Sequence, residues 1–381
     1  MHEQAVVPSR PAVQSRTRVA LATIFFCNGF GMASWFVHVP LVKAHLGLDD
    51  RALGLALFST GLGAFATLWL SGWFLTRFGS RRVVIVSSLI FALSLLGPAF
   101  APSYAVLVVC LFILGASTGL MDVSMNGQAA YYEQQIGRPV MSSLHATWSV
   151  GVWCGSLIGA LFLAGPESYH LTLMTVLLIG ALWTTYRYLQ RTRGKAGGSV
   201  LSLPHGILSV FGLLCLVSML AEGSVADWAG VHLRDTYHVS NAISAFGYSA
   251  FAFSMFIARV AGDRLVMRFG REFIVRLGSA IGAVGMALAA FGGNWPLAVI
   301  GFALSGFGVA NVVPVLFSLS AARRPDAIEQ ATSSVFATGY LGFLLGPSLI
   351  GFLANQFGLP MALGVIAVSL GLIVVGTPGR K

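Results

Sequence analysis

The sequence predicts an all-α membrane protein of twelve transmembrane helices in two pseudo-symmetric six-helix bundles. Composition is the first observation: 56% of the 381 residues are apolar, 9% are charged, and mean hydropathy is +0.81. Soluble domains carry about a quarter charged residues. Segmentation is the second, because a span needs about 20 apolar residues and the chain divides into roughly a dozen such runs. Duplication is the third. Ala146-Thr-x-x-x-Gly151-x-x-x-Gly155 recurs as Ala337-Thr-x-x-x-Gly342-x-x-x-Gly346, and Arg77-Phe-Gly79 as Arg268-Phe-Gly270, both at an offset of 191 (337 − 146, 268 − 77). Near that offset Gly119-x-x-Asp122 is echoed by Gly308-x-x-Asn311. One register through several motifs signals a duplicated unit in parallel orientation, which places a site between two halves.

The spans are expected at 18–41, 51–76, 82–101, 104–131, 141–164, 170–190, 205–232, 241–266, 273–292, 295–321, 328–354 and 359–376. The first holds Asn28 and Trp35, seven apart and so on one helical face. The fourth holds Gly115, Gly119, Asp122 and Asn126 at i, i+4, i+7 and i+11, again one face. Its glycines admit a close neighbour, and its carboxylate costs on the order of 3 kcal/mol at membrane depth unless solvated, paired or protonated. The fifth places His145 near its start and Trp148 on the face of Gly151, Gly155 and Gly159. The seventh carries Glu222, with Asp227 and Trp228 expected near the interface, where solvated acids and belt tryptophans are ordinary. The eighth carries Arg259, expected to pair with Asp263; the tenth carries Asn311 and the eleventh Tyr340. Residues 82–101, 273–292 and 359–376 are nearly all apolar, glycine or serine.

The break at 191–204 is basic, then rich in Gly and Ser, then ends in Pro204, and it divides the chain into 1–190, a linker, and 205–381. All but three of the 23 Lys and Arg fall at the ends of the chain, in alternate connectors, or at Arg259; the exceptions are Lys43, Arg51 and Arg234. By the positive-inside bias both termini are cytoplasmic, in a multi-pass protein of the cell inner membrane. The net charge of +10 is spread over connectors and forms no basic stripe, which excludes nucleic acid. Cys27, Cys110, Cys154 and Cys215 show no pairing or metal spacing. The first apolar run is too long for a signal h-region and reads as a retained helix. No Walker loop, HExxH, nucleophile elbow or Cys/His cluster is present, so neither an enzyme nor a resident cofactor or metal is expected.

Six plus six helices, a basic central loop and Gly72-Trp-Phe-Leu-Thr76-Arg77-Phe-Gly79-Ser-Arg81-Arg82 after the second span resemble the major facilitator superfamily. The family's signature there is Gly-x-Leu-Ala-Asp-Arg-x-Gly-Arg-Arg, and Thr76 replaces its acid. Arg259-x-x-Gly262-Asp263-Arg264 supplies an acid near an arginine in the second half. Asp122-x-x-x-Asn126 after Gly119 is similar to the Glu-x-x-x-Asn of fucose-type proton/sugar symporters. Glu222-Gly-Ser-x-Ala-Asp227-Trp228, with Leu144-His145-Ala-Thr-Trp148-Ser, resembles the YbjJ-like branch. The resemblance implies that the third, sixth, ninth and twelfth helices face lipid while the others line a cavity, and that Arg77, Arg81, Arg259 and Asp263 act in gating.

The expected function is proton-coupled symport of a small polar organic solute, sugar-like compounds included, by alternating access in a monomer. Asp122 and Glu222, expected near opposite mouths, and His145 would couple protons. Asn28, Trp35, Asn126, Trp148, Asn311 and Tyr340 would line the site, because amides and aromatic faces are what a polyol or sugar ring requires. Proton-driven efflux of amphipathic compounds is the alternative, and the fifth span argues mildly against it, since Gly155 is followed by Ser156 where antiporters carry Gly-Pro. A non-transporting membrane receptor is the least expected reading.

Overall fold

A computed structural model describes residues 11–136, 140–162, 167–190, 204–324 and 328–378; apart from Pro204, the predicted linker lies outside them. Twelve long helices run through the described residues. The first half comprises α1 (Pro11–Phe36, with a short continuation Val39–His45), α2 (Asp50–Phe78), α3 (Ser80–Ser94), α4 (Tyr104–Ile136), α5 (Met141–Phe162) and α6 (Glu167–Thr185). The second comprises α7 (Ile207–Tyr237), α8 (Phe246–Phe269), α9 (Arg271–Phe291), α10 (Trp295–Val309, resuming as Val312–Arg323), α11 (Ile328–Phe357) and α12 (Leu359–Gly376). Eleven spans are long and apolar enough to cross a membrane. The remaining long helix, α6, opens on the polar turn Glu-Ser-Tyr-His. Helices dominate because a backbone in lipid must satisfy its own hydrogen bonds.

The sequence duplication has a structural counterpart. A side chain at Gly151 or Gly155 of α5 would run into the carbonyls of Phe26 and Phe30 in α1. At Gly342 of α11 it would run into that of Leu216 in α7, and at Gly346 it would come within 3.7 Å of the Leu220 carbonyl. These contacts repeat at 190 residues (216 − 26, 220 − 30), so each glycine stripe seats one helix on its twin's counterpart. The two Arg-Phe-Gly turns match as well. Gly79 has φ 78° and ψ 150°, Gly270 φ 87° and ψ 158°. Both lie where L side chains are strained, which explains glycine there. Helices α3, α6, α9 and α12 turn large apolar residues outward, among them Ile90, Val176, Val284 and Val368.

Two helices outrun their apolar segments. Hydropathy ends the fourth and seventh spans at 131 and 232, yet α4 continues to Ile136 and α7 to Tyr237. Glu222 is therefore residue 16 of 31 in α7 (222 − 207 + 1) and Asp122 residue 19 of 33 in α4 (122 − 104 + 1). Both acids sit near the middle of their helices. Helical hydrogen bonding carries on through polar residues that an apolarity window discards; within the apolar stretch Tyr104–Ala129, 26 residues long, Asp122 still lies toward the far end (122 − 104 + 1 = 19).

The halves meet along α2 and α11, α5 and α8, and α1 and α7. At the face away from the start of α1, a Cβ on Gly54 would come within 2.7 Å of the Pro347 carbonyl. Lys43 there contacts Asp50 at 2.6 Å and also pairs with Asp235 of the other half. Arg234 donates to the Pro40 carbonyl at 2.7 Å. Two of the three basic residues that depart from the charge bias thus fasten the halves together. Lys43→Glu is expected to loosen this clasp by about 1–2 kcal/mol, a modest value because the partners are partly exposed. Val42→Cys, now 2% exposed, reports it in a background with the native cysteines changed to serine. Labelling by an impermeant maleimide should rise roughly tenfold and fall again when Asp235→Lys is added.

Candidate functional site

Three helices of the first half converge through amides. In α4 the Asn126 Nδ2 donates to the Asp122 carboxylate at 3.1 Å and to its backbone carbonyl at 2.9 Å. The i, i+4 spacing puts the two side chains in reach. The Asn126 Oδ1 lies 3.1 Å from His145 Nε2 in α5, so that nitrogen carries the proton donated to the amide. One amide therefore joins a carboxylate to an imidazole. Asn28 of α1 makes a parallel bridge. Its Oδ1 accepts from the Trp148 indole at 2.8 Å, and its Nδ2 lies 3.5 Å from the Met121 sulfur, beside Asp122. Asn28 is 3% exposed and fully committed, whereas His145 is open to solvent.

A cleft lies between α5 and the second half, with Trp148 the member of this group that lines it. It is lined by Trp148, Ser149 and Val152 of α5, Glu222 of α7, and Tyr248, Phe251, Ala252, Met255 and Arg259 of α8. The Arg259 Nη2 faces Glu222 at 3.8 Å, and its Nε donates to the Ala310 carbonyl at 3.3 Å. That carbonyl has no helical partner because the residue four further on is Pro314, which lacks an N–H. Tyr340 of α11 packs tilted against Phe336 and edge-on to Phe343.

The structure thus brings together Asn28, Asp122, Asn126, His145 and Trp148 on one side and Glu222 and Arg259 on the other, while Tyr340 packs within α11 against Phe336 and Phe343. Two expected lining residues are elsewhere. Trp35 is 1% exposed and belongs to the hydrophobic core, so it offers no ring face to a solute. Asn311 sits at the α10 break, where its Nδ2 donates to the Ala258 carbonyl at 2.9 Å and its amide covers Gly262. It joins α10 to α8. Arg77 is exposed at the end of α2 and Arg81 half-buried at the start of α3. Thr76, in place of the family's acid, turns its hydroxyl onto the Gly72 and Trp73 carbonyls. Among the described side chains Arg259 pairs with Glu222; that of Asp263 lies outside them.

Sequence reasoning missed the α8 wall. Tyr248, Ala252, Met255 and Arg259 follow i, i+4, i+7 and i+11, the spacing that drew attention to α4, so the stripe leading to the arginine was there to be read. Asp227 and Trp228 are not an interfacial pair either. Trp228 is fully buried, and its indole nitrogen has no hydrogen-bond partner among the described residues.

The Major Facilitator Superfamily profile matches residues 20–220 and 210–377. The chain is 35% identical over 373 residues to an uncharacterised MFS-type transporter of Yersinia pestis, covering 97% of this chain and 96% of that one. It is 26% identical over 169 residues to the quinolone resistance protein NorA of Staphylococcus aureus, 42% of this chain and 43% of that one. A crystal structure of the nucleoside transporter NupG superposes with a TM-score of 0.75 at 14% identity, over 94% of this chain and 97% of that one. With a family profile spanning both halves and a relative matched nearly end to end, the chain belongs to the major facilitator superfamily and is a membrane transporter, not an enzyme.

Proposed function

We propose that this transporter is a proton-coupled symporter of a small polar organic solute, sugar-like compounds among them. It would work as a monomer by alternating access, in the inner membrane with both termini cytoplasmic, through rocking of bundles 1–190 and 205–381. The observation that carries the reading is the bonded series Asp122–Asn126–His145, which joins α4 to α5. A carboxylate in a membrane interior is costly when charged and uncompensated, so its wetting and drying during alternating access give it a reason to gain and lose a proton. A solvent-exposed imidazole in contact through one amide is a donor and acceptor suited to pass that proton onward. The clasp at the far face supports a state closed on that side.

The experiment uses protein reconstituted in liposomes, with solutes chosen by thermal-shift screening, because a ligand that binds the folded state stabilises it. An inward-directed proton gradient is expected to drive accumulation of the stabilising solute, and a protonophore to abolish it. Accumulation unaffected by the protonophore overturns the proton coupling. Similarity to NorA supports a second reading, proton-driven efflux of amphipathic compounds. That reading instead predicts dye extrusion and altered toxin tolerance on deletion.

A further inference from the structure

The Arg259–Glu222 pair is poorly explained as a structural bond. A charged side chain in the middle of a membrane helix is costly, and one that serves architecture is held close and saturated with hydrogen bonds. Arg259 lies in α8 with its side chain 32% exposed to the cleft. Its distance to Glu222, 3.8 Å, exceeds hydrogen-bond range. Of the guanidinium's five N–H donors, the Nε–H is engaged by the Ala310 carbonyl, which fixes the plane of the group. The Nη donors carry no hydrogen bond among the described residues. Besides Glu222 and Ser149, the cleft lining is mostly apolar and aromatic: the Trp148 indole, whose N–H is occupied by Asn28, with Val152, Tyr248 and Met255.

A guanidinium held through its Nε–H, with no Nη hydrogen bond among the described residues and aromatic side chains beside it, suits an oxyanion with two acceptor oxygens on an apolar body. We propose that Arg259 binds the anionic group of the solute, which is therefore an organic acid carrying a carboxylate, sulfonate or phosphate, and that Glu222 is the internal anion it displaces. This rests on the transporter reading above and narrows its solute. When the solute takes the Nη donors, Glu222 loses its counter-charge, and the carboxylate takes a proton from the cleft. The solute leaves as Glu222 gives up its proton and returns to Arg259. Among the described residues, the titratable and charged groups around Glu222 are Arg259 and Tyr248 on α8 and Cys215 on its own helix, with Asp227 acting on Tyr248. From α5, His145 senses Arg259.

The test is thermal shift and equilibrium binding on the purified full chain. The probes are benzoate, benzenesulfonate and phenyl phosphate at about 10 mM, with neutral benzyl alcohol as the control. At least one anion is expected to stabilise the wild type, more strongly at about pH 6 than at about pH 8, while benzyl alcohol is not. Glu222→Gln removes the competitor while keeping its shape. It is expected to bind the same anion at least about fivefold tighter and with a flattened pH dependence. Arg259→Gln is expected to lose binding, and Arg259→Lys, which keeps the charge without the fork, to weaken it. Should Arg259→Gln fail to fold, Glu222→Gln and Arg259→Lys decide. Stabilisation by benzyl alcohol equal to that by the anions, no stabilisation by any of the three, or weaker binding by Glu222→Gln overturns the proposal. Gradient-driven accumulation of a neutral solute overturns it too, while leaving the symport reading intact.

Discussion

Gly115→Ala is expected to destabilise the protein by about 2–3 kcal/mol, the range of an overpacked core, while Gly127→Ala on the same helix is expected to be neutral or slightly stabilising. The two substitutions are chemically identical and both sit inside α4. Intrinsic helix preference favours alanine at each by about 1 kcal/mol, so only the surroundings can separate them. A methyl group at Gly115 would overlap the Thr60 carbonyl of α2, and its next neighbours are the Thr60 backbone carbon atoms at 2.6 and 2.8 Å. Backbone cannot swing aside as a side chain can, so the helices must part. At Gly127 nothing lies within 4 Å. Since α4 carries Asp122 and Asn126, parting it from α2 should also disturb the series with His145. Thermal melts of the purified variants in detergent check the prediction. A melting temperature for Gly115→Ala at or above that of wild type would contradict it.

Much of this architecture is legible in the sequence, and the reasons are physical. Lipid leaves helices as the economical solution for a chain this apolar, so composition alone reaches the class. The repeated glycine stripes then reach the topology, because a small residue every fourth position means close contact with a neighbour. Gly151 with Phe26 and Gly342 with Leu216 show which neighbour it is. Within the site, Asp122 and Asn126 were legible because they interact along one helix at i, i+4. His145 was legible because a short connector makes α5 follow α4.

What depended on the relative rotation of separate helices was not legible. Arg259 and Glu222 belong to different helices, and only packing reveals that they face each other. Trp35 shares a face with Asn28, but spacing along one helix does not say what covers that face, and here it is the core. Asn311 misled for a subtler reason. Duplication preserves position, and its match with Asp122 suggested a shared role, yet the break in α10 turns its amide to the Ala258 carbonyl. Symmetry in sequence fixes where a residue sits along its helix; local backbone geometry decides what it touches.

The contrast between those two twins also sharpens the central claim. Asn311 holds helices together with a neutral amide, so architecture at this position does not require a charge. Asp122 keeps a carboxylate where an amide would suffice for packing, and it is joined through Asn126 to an exposed histidine. Asp122→Asn retains an oxygen able to accept from the Asn126 Nδ2, so the local bonding and the fold are expected to survive. What it removes is the ability to take up and release a proton.

The most direct measurement compares two modes of transport by Asp122→Asn in the same liposomes. One is solute exchange at equal pH on both sides, and the other is accumulation under an imposed proton gradient. Exchange needs only a binding site and the rocking of the two halves, whereas accumulation needs the proton to be linked to them. The account predicts that exchange persists while gradient-driven accumulation falls roughly tenfold or more. Accumulation by Asp122→Asn at the wild-type level would contradict it.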